Sequence, residues 1–344
     1  MDLIRNAYHR LLIMPGLPFF FRFARSNCAT IFMMHRFTHK DRGIEGFDPA
    51  QLRTGLNYLR RNNYEFISLI ELLSRLAGNG AELNGAVVFT IDDGYIDHAE
   101  IAAPVYAEFD CPVTTFVTTG FLDGQLWMWW NKVEHIFAST QKRSLEFVLD
   151  NDSIRYELNN EEAIGAARED FIKLCKSVGT DKRQKFITLL AENAEVGMPS
   201  RPPAMYAPMT WDNARACEKR GMTFGPHTVT HPILSQLPTE QQAAWEISES
   251  WRRLCSEVSS PVPVFCYPNG GWADFGPREI DIFRNLGLSG AVVGEPGFAE
   301  RLTFPQDKDA PFKLCRMPFP ENLSDLIQYV SGIERCKKIL RSRI

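Results

Sequence analysis

Two adjacent carboxylates, Asp92 and Asp93, follow the apolar run Val87-Val88-Phe89-Thr90-Ile91. Neighbouring side chains point different ways, so one carboxylate can hold a cation while the other faces a substrate as a base. The plainer reading is a helix N-terminus, where the helix dipole favours negative charge. The segment His227-Thr-Val-Thr-His231 shifts that balance. Histidines at i and i+4 lie on one face of a helical turn, about 5–6 Å apart, and can share a tetrahedral ion. The same spacing also arises between two surface or core histidines that hold nothing. Here the pair directly follows Thr223-Phe224-Gly225-Pro226. One carboxylate and two imidazoles leave coordination positions open for water and substrate, which suits a hydrolytic site rather than a closed structural one.

These groups need elements that bring them together, and the sequence alternates strand and helix patterns. Ala29–Met34 is a short apolar run that ends in His35-Arg36. Asp48-Pro49-Ala50-Gln51 opens a helix with a cap and a proline in the first turn, and Leu52, Leu56 and Leu59 form its apolar stripe. Ser68 and Glu71 read as a capping box. Asp97 and Glu100 read as caps of the helix after Asp92-Asp93. Val113–Thr119, Thr223–Gly225, Val264–Tyr267, Leu288–Val293 and Lys313–Met317 complete about seven strands. A capping box at Thr239 and Gln242 starts a helix with Ala244, Ile247, Trp251, Leu254 and Val258 on one face, and another helix near 277–286 stops at Gly287. Right-handed crossovers then give a parallel sheet, open or closed into a barrel. Reactive groups gather at the carboxyl ends of such strands. His35, Asp92, Asp93, His227, His231, Tyr267, Asn269 and Arg316 all fall there. The stretch 121–205 interrupts the rhythm with an aromatic cluster, an acidic helix-rich region and Pro202-Pro203. It reads as an insertion after the third strand, within one domain.

The composition narrows the classes. With 344 residues, 44% hydrophobic and 23% charged, the chain is globular. A net charge of −4 gives no sign of nucleic-acid binding. The eight cysteines form no C-x-x-C pair, and their scatter through apolar segments suits a reducing compartment. Residues 1–28 are apolar and basic, interrupted by His9, Arg10, Pro15 and Pro18. No run reaches the roughly 20 residues of a spanning helix, and no signal-peptide order is present. The segment reads as a terminal helix packed on the domain, or as an interfacial one with Leu12, Ile13 and Phe19–Phe21 toward lipid. The expectation is a cytoplasmic protein, peripheral on the membrane if the interfacial reading holds, with a basic helix over 321–344.

TIDDGY at 90–95, HTVTH at 227–231 and FCYPNG at 265–270, in that order, resemble the polysaccharide deacetylases of the NodB-homology type, carbohydrate esterase family 4. MMHRF at 33–37, FVTTGF at 116–121 and WWNKVEHIF at 129–137 resemble a subgroup found in bacterial surface-glycan gene clusters. The resemblance implies a deformed (β/α)7 barrel over residues 29–320, with the helix-rich insertion carried within it. It implies Asp92 as general base, Asp93, His227 and His231 as ligands of a divalent metal, zinc above all, and the Tyr267 backbone N–H as an oxyanion donor. Two family features are missing. The base-orienting arginine position reads Cys266, with Asn269 at the aromatic position after Pro268, and no histidine follows His231 to serve as acid. His35, closing the first strand, and Arg316, closing the last, are the replacements expected. Each also has a plain structural reading, as a loop hydrogen bond and a salt bridge.

The reaction implied is removal of acetyl from an N-acetylated amino sugar in a lipopolysaccharide or exopolysaccharide precursor, such as a polyprenyl-linked glycan. Asn269, Trp130 and Trp272 are the expected sugar contacts, with Trp127, Trp129 and Phe298 as further aromatic candidates. A deformylase or another amide or ester hydrolase on the same scaffold is the nearest alternative, and a non-catalytic glycan-binding descendant the next.

Overall fold

The computed structural model describes residues 25–149, 152–301 and 307–341, with side chains to Lys337. The apolar and basic segment read over 1–28 therefore lies, through residue 24, outside the described residues. In chain order the elements are β1 (Cys28–Met34), α1 (Pro49–Arg61), α2 (Leu69–Leu76), β2 (Val87–Ile91), α3 (Ala103–Ala107), β3 (Val113–Val117), α4 (Thr119–Leu122) and α5 (Trp129–Ser139). They continue with β4 (Ser144–Leu149), β5 (Asp152–Glu157), α6 (Glu161–Lys176), α7 (Thr180–Asn193), α8 (Trp211–Glu218), β6 (Met222–Pro226), α9 (Glu240–Glu257) and β7 (Val264–Cys266). Last come α10 (Pro277–Asn285), β8 (Gly290–Val292), β9 (Ala299–Glu300), β10 (Met317–Pro318), α11 (Leu323–Val330) and α12 (Ile333–Arg341).

Strands pair in parallel in the order β10-β1-β2-β3-β6, and β7 pairs with β8 in the same sense. Single parallel bridges join the two groups: Phe224 of β6 to Pro261 before β7, and Val292 of β8 to Leu314 before β10. Seven parallel strands thus close a deformed (β/α)7 barrel with two thin seams, β6–β7 and β8–β10. Every residue of β2 and β3 is buried, as expected where helices cover one face of a strand and the barrel interior fills the other. Asp48 accepts from the Ala50 N–H and the Thr239–Gln242 box is formed, but at Ser68 only half of the expected box forms: Ser68 accepts from the Glu71 N–H, while the Glu71 carboxylate turns to Arg75.

Three expectations need correction. The strand read over 313–317 divides, with Leu314 bridging β8 and only Met317–Pro318 pairing with β1, so Arg316 stands between the two contacts instead of closing a strand. The C-terminal region holds two helices, not one, because Gly332 breaks them at φ 92°. The insertion carries an antiparallel β4–β5 hairpin beside its helices. Leu145, Phe147 and Leu149 alternate with polar residues there, and their buried faces join Phe137, Phe171, Phe186 and Leu190 in a core of the insertion's own. Among the described residues no helix is long and apolar enough to cross a membrane.

Candidate active site

The site forms where β1, β2, β6, β7 and β8 end. After β2 the chain turns at two left-handed residues, Asp93 at φ 86° and Gly94 at φ 96°, and the adjacent carboxylates diverge. After β6 the histidine segment is not the helical turn expected from its spacing. It is a loop bent through left-handed Thr228 (φ 65°) and His231 (φ 58°). The loop brings His231 Nε2 to 3.1 Å from His227 Nε2, so the two imidazoles meet without a helical turn beneath them. Such conformations cost on the order of 1–3 kcal/mol each and persist where surroundings impose them. Here the imposing group is Glu246 of α9, whose buried carboxylate accepts from the Val229 and Thr230 N–H groups at 2.8 and 2.9 Å and from the Thr230 hydroxyl. The sequence hid this residue inside an otherwise apolar helix face.

Asp93 Oδ1 lies 3.7 Å from His227 Nε2 and 3.5 Å from His231 Nε2. With the 3.1 Å between the imidazoles, this triangle is close to the roughly 3.3 Å edges of a tetrahedral ion with 2.0–2.1 Å bonds. His227 Nδ1 is 2.7 Å from the Cys266 carbonyl, which makes Nδ1 the protonated nitrogen and leaves the Nε2 lone pair toward Asp93. Burial first, and the neighbouring Asp92 carboxylate second, push Asp93 up to about 8. Burial lowers His227 to about 4 and His231 well below its ordinary value. A buried carboxylate beside neutral imidazoles is a donor set short of one positive charge, and a divalent ion fits it.

Asp92 is built differently. Arg316 Nη1 and Nη2 donate to its two oxygens at 2.7 Å each, while Nε donates to the Val293 carbonyl and Nη1 also to Thr90. Nη2 stands 3.3 Å from Cys266 Sγ, so the small thiol leaves room for a guanidinium arriving from another part of the chain. Burial would raise Asp92, but the charge and hydrogen bonds of Arg316 outweigh it and hold the carboxyl well below its usual range. Cys266 could join Asp92 and His227 as a second ligand group by proximity. Its thiol is raised well above the ordinary value, by burial first, and Arg316 already occupies Asp92.

His35 Nε2 is 3.7 Å from Asp92 Oδ2, with 49% of its side chain exposed to a cavity of about 670 Å³. That cavity also meets Asp92, Asp93, His227, His231, Asn269 and Trp130. Trp130 lies edge-on to His231 at 4.7 Å and donates from Nε1 to the Tyr95 hydroxyl. Other expectations fail. Trp272 is 52% exposed and does not border the cavity. Trp127 lines a separate hollow, and Phe298 packs against the core. Tyr267 borders the cavity, but its N–H donates to the Val292 carbonyl at 3.3 Å within the β7–β8 pairing, so it is not left for an oxyanion. Asp97 caps no helix. It is fully buried and accepts from the Phe37 N–H and from Arg36, whose guanidinium covers the Tyr95 ring at 4.0 Å.

The family model "Polysaccharide deacetylase" matches residues 186–289, which take in both histidines and the 265–270 loop but not Asp92-Asp93. Over that stretch the chain is similar to the polysaccharide deacetylases. Solved deacetylases share the fold at low identity. IcaB from Ammonifex degensii superposes with a TM-score of 0.55 at 16% identity, over 89% of this chain and 97% of that one. The Streptococcus pyogenes deacetylase PplD, solved with acetate, gives 0.53 at 16%, over 90% and 97%. A de-N-acetylase from Aggregatibacter actinomycetemcomitans gives 0.53 at 13%, over 88% and 99%. No curated protein matches the sequence significantly.

Proposed function

We propose that this deacetylase relative is a metal-dependent de-N-acetylase of an amino sugar in a bacterial surface-glycan precursor, of the lipopolysaccharide or exopolysaccharide kind. The observation that carries the reading is the convergence of two differently charged carboxylates on one cavity: Asp93 facing two imidazoles and Asp92 clamped by a guanidinium. Asp93, His227 and His231 would hold the ion. A divalent ion such as zinc, when bound, supplies a Lewis acid for the acetyl carbonyl and lowers the pKa of a water toward ~7. Asp92, kept ionised and oriented by Arg316, accepts the proton of the attacking water. The amide for the oxyanion is that of Asn269, on the left-handed residue bordering the cavity (φ 65°). His35, 3.7 Å from Asp92 Oδ2 and open to the cavity, delivers a proton to the departing amine. Trp130 walls the sugar. The products are acetate and a free amino sugar.

The buried thiols of Cys111, Cys175, Cys217 and Cys266 support a cytoplasmic setting. Residues 1–28 support contact with the inner membrane face, where a polyprenyl-linked glycan is available.

The test is acetate release from N-acetylated sugars by the purified, zinc-loaded protein, lost on chelation and restored by metal. His35→Ala should lower turnover roughly a hundredfold while metal content stays full. Formate release from N-formyl sugars, with no acetate from any N-acetyl sugar, would replace this reading with a deformylase.

A further inference from the structure

The insertion brings two cations to the cavity that the reaction above does not use. Arg168, Ile172 and Lys176 stand at i, i+4 and i+8 on α6, and all three border the cavity. Arg168 is half-buried and Lys176 exposed. Neither charged group has an ion-pair or hydrogen-bond partner among the described residues. Glu45 and Glu134 also border the cavity, but neither pairs with them; Glu134 instead accepts from the Asn131 amide at 2.9 Å.

This end of α6 is fastened to the neighbouring elements. Gln236, on the loop that follows His231, donates from Nε2 to the Lys176 carbonyl at 2.7 Å. Arg183 of α7 donates to the Cys175 carbonyl and to Gln236 Oε1, and its guanidinium covers Trp129, another cavity residue, at 4.8 Å. Lys176 is therefore carried by a docked helix end and borders the same cavity as His35.

We propose that Arg168 and Lys176 bind an anionic group on the substrate, so that the glycan accepted is a sugar bearing a phosphate ester or a carboxylate beside the acetamide, not a neutral chain. This rests on the de-N-acetylase reading. The docked helix fixes where both side chains start from, so the cost of binding is the rotamer freedom of the side chains and not of the backbone. Charge-assisted hydrogen bonds of this kind are roughly twice as strong as neutral ones.

The test compares kcat/KM for acetate release from N-acetylglucosamine 1-phosphate, from an N-acetylglucosaminyl-glucuronate disaccharide and from neutral methyl N-acetylglucosaminide. For Arg168→Gln and Lys176→Gln the ratio of anionic to neutral kcat/KM should each fall roughly tenfold, and for the double variant about a hundredfold. The substrate with the greater fall identifies phosphate or carboxylate as the anion. An unchanged ratio, with acetate still released, overturns the anion site and leaves the de-N-acetylase reading standing. If no substrate releases acetate, that reading fails, and calorimetric binding of N-acetylglucosamine 1-phosphate decides the anion site alone. Affinity lost in the double variant supports it; equal affinity in both proteins, or none in either, overturns it.

Discussion

The barrel and its insertion handle charge in opposite ways. At the strand ends three buried carboxylates have partners within the chain: Asp92 has Arg316, Asp97 has Arg36, and Glu246 has the amides of the histidine loop, while Asp93 faces the two imidazoles. In the insertion the apolar residues gather into a separate core, and Arg168 and Lys176 are left uncompensated at the cavity rim. Answered charges fix a reaction geometry, while open ones wait for a ligand. On the proposed reading, the chemistry belongs to the barrel and the choice of substrate to the insertion.

Changes in the barrel should abolish chemistry and leave the insertion folded. The largest effect is expected from His231→Ala, which removes a ligand nitrogen; metal analysis should find the ion lost and turnover at background. Full zinc occupancy in that variant would break the assignment.

Asp92→Asn should keep the metal and cost roughly 10²–10⁴ in rate. Arg316→Gln addresses the same carboxylate through pH. Asp92 titrates below its unfolded value of about 3.9. The ion pair's stabilisation is thus complete above that value and is lost as pH falls through the depressed one. Without the guanidinium the carboxyl rises, so the acid limb of the rate profile should move to higher pH. The uncompensated buried charge should also cost roughly 3–5 kcal/mol in denaturant unfolding. An unmoved acid limb would mean that Arg316 does not govern Asp92.

The smallest effect on the metal is expected from the other region. Phe147→Ala hollows the insertion core, at roughly 3–5 kcal/mol by analogy with buried phenylalanines elsewhere. Proteolysis between residues 121 and 205 should quicken while metal content stays full. Metal loss in this variant would show that the two regions are one cooperative unit.

The sequence made the barrel legible because parallel strands announce themselves by uniform burial and helices by their caps, as in Val87–Ile91 and Asp48-Pro49. The candidate ligand residues were legible by type, since only certain side chains bind ions. Their geometry was not, because spacing says helix at His227–His231 while Glu246, distant in sequence, dictates a loop. The guanidinium at Asp92 could be guessed only from where a strand seemed to end. The hairpin had a signal in the alternation of Leu145, Phe147 and Leu149, which the acidic surroundings obscured. The commitment of the Tyr267 amide to β8 depends on a pairing partner, which no local pattern reveals.

His227 has a double duty that bears on how the protein can be taken apart. Its Nε2 belongs to the proposed ligand triangle, while its Nδ1 reaches the Cys266 carbonyl and stitches β6 to β7 at the seam where, among the described residues, a single β-bridge joins them. His231 makes no such stitch. Loss of His227 therefore unfastens the wall together with the ligand, and its phenotype mixes a chemical cause with a mechanical one. Loss of His231 separates them.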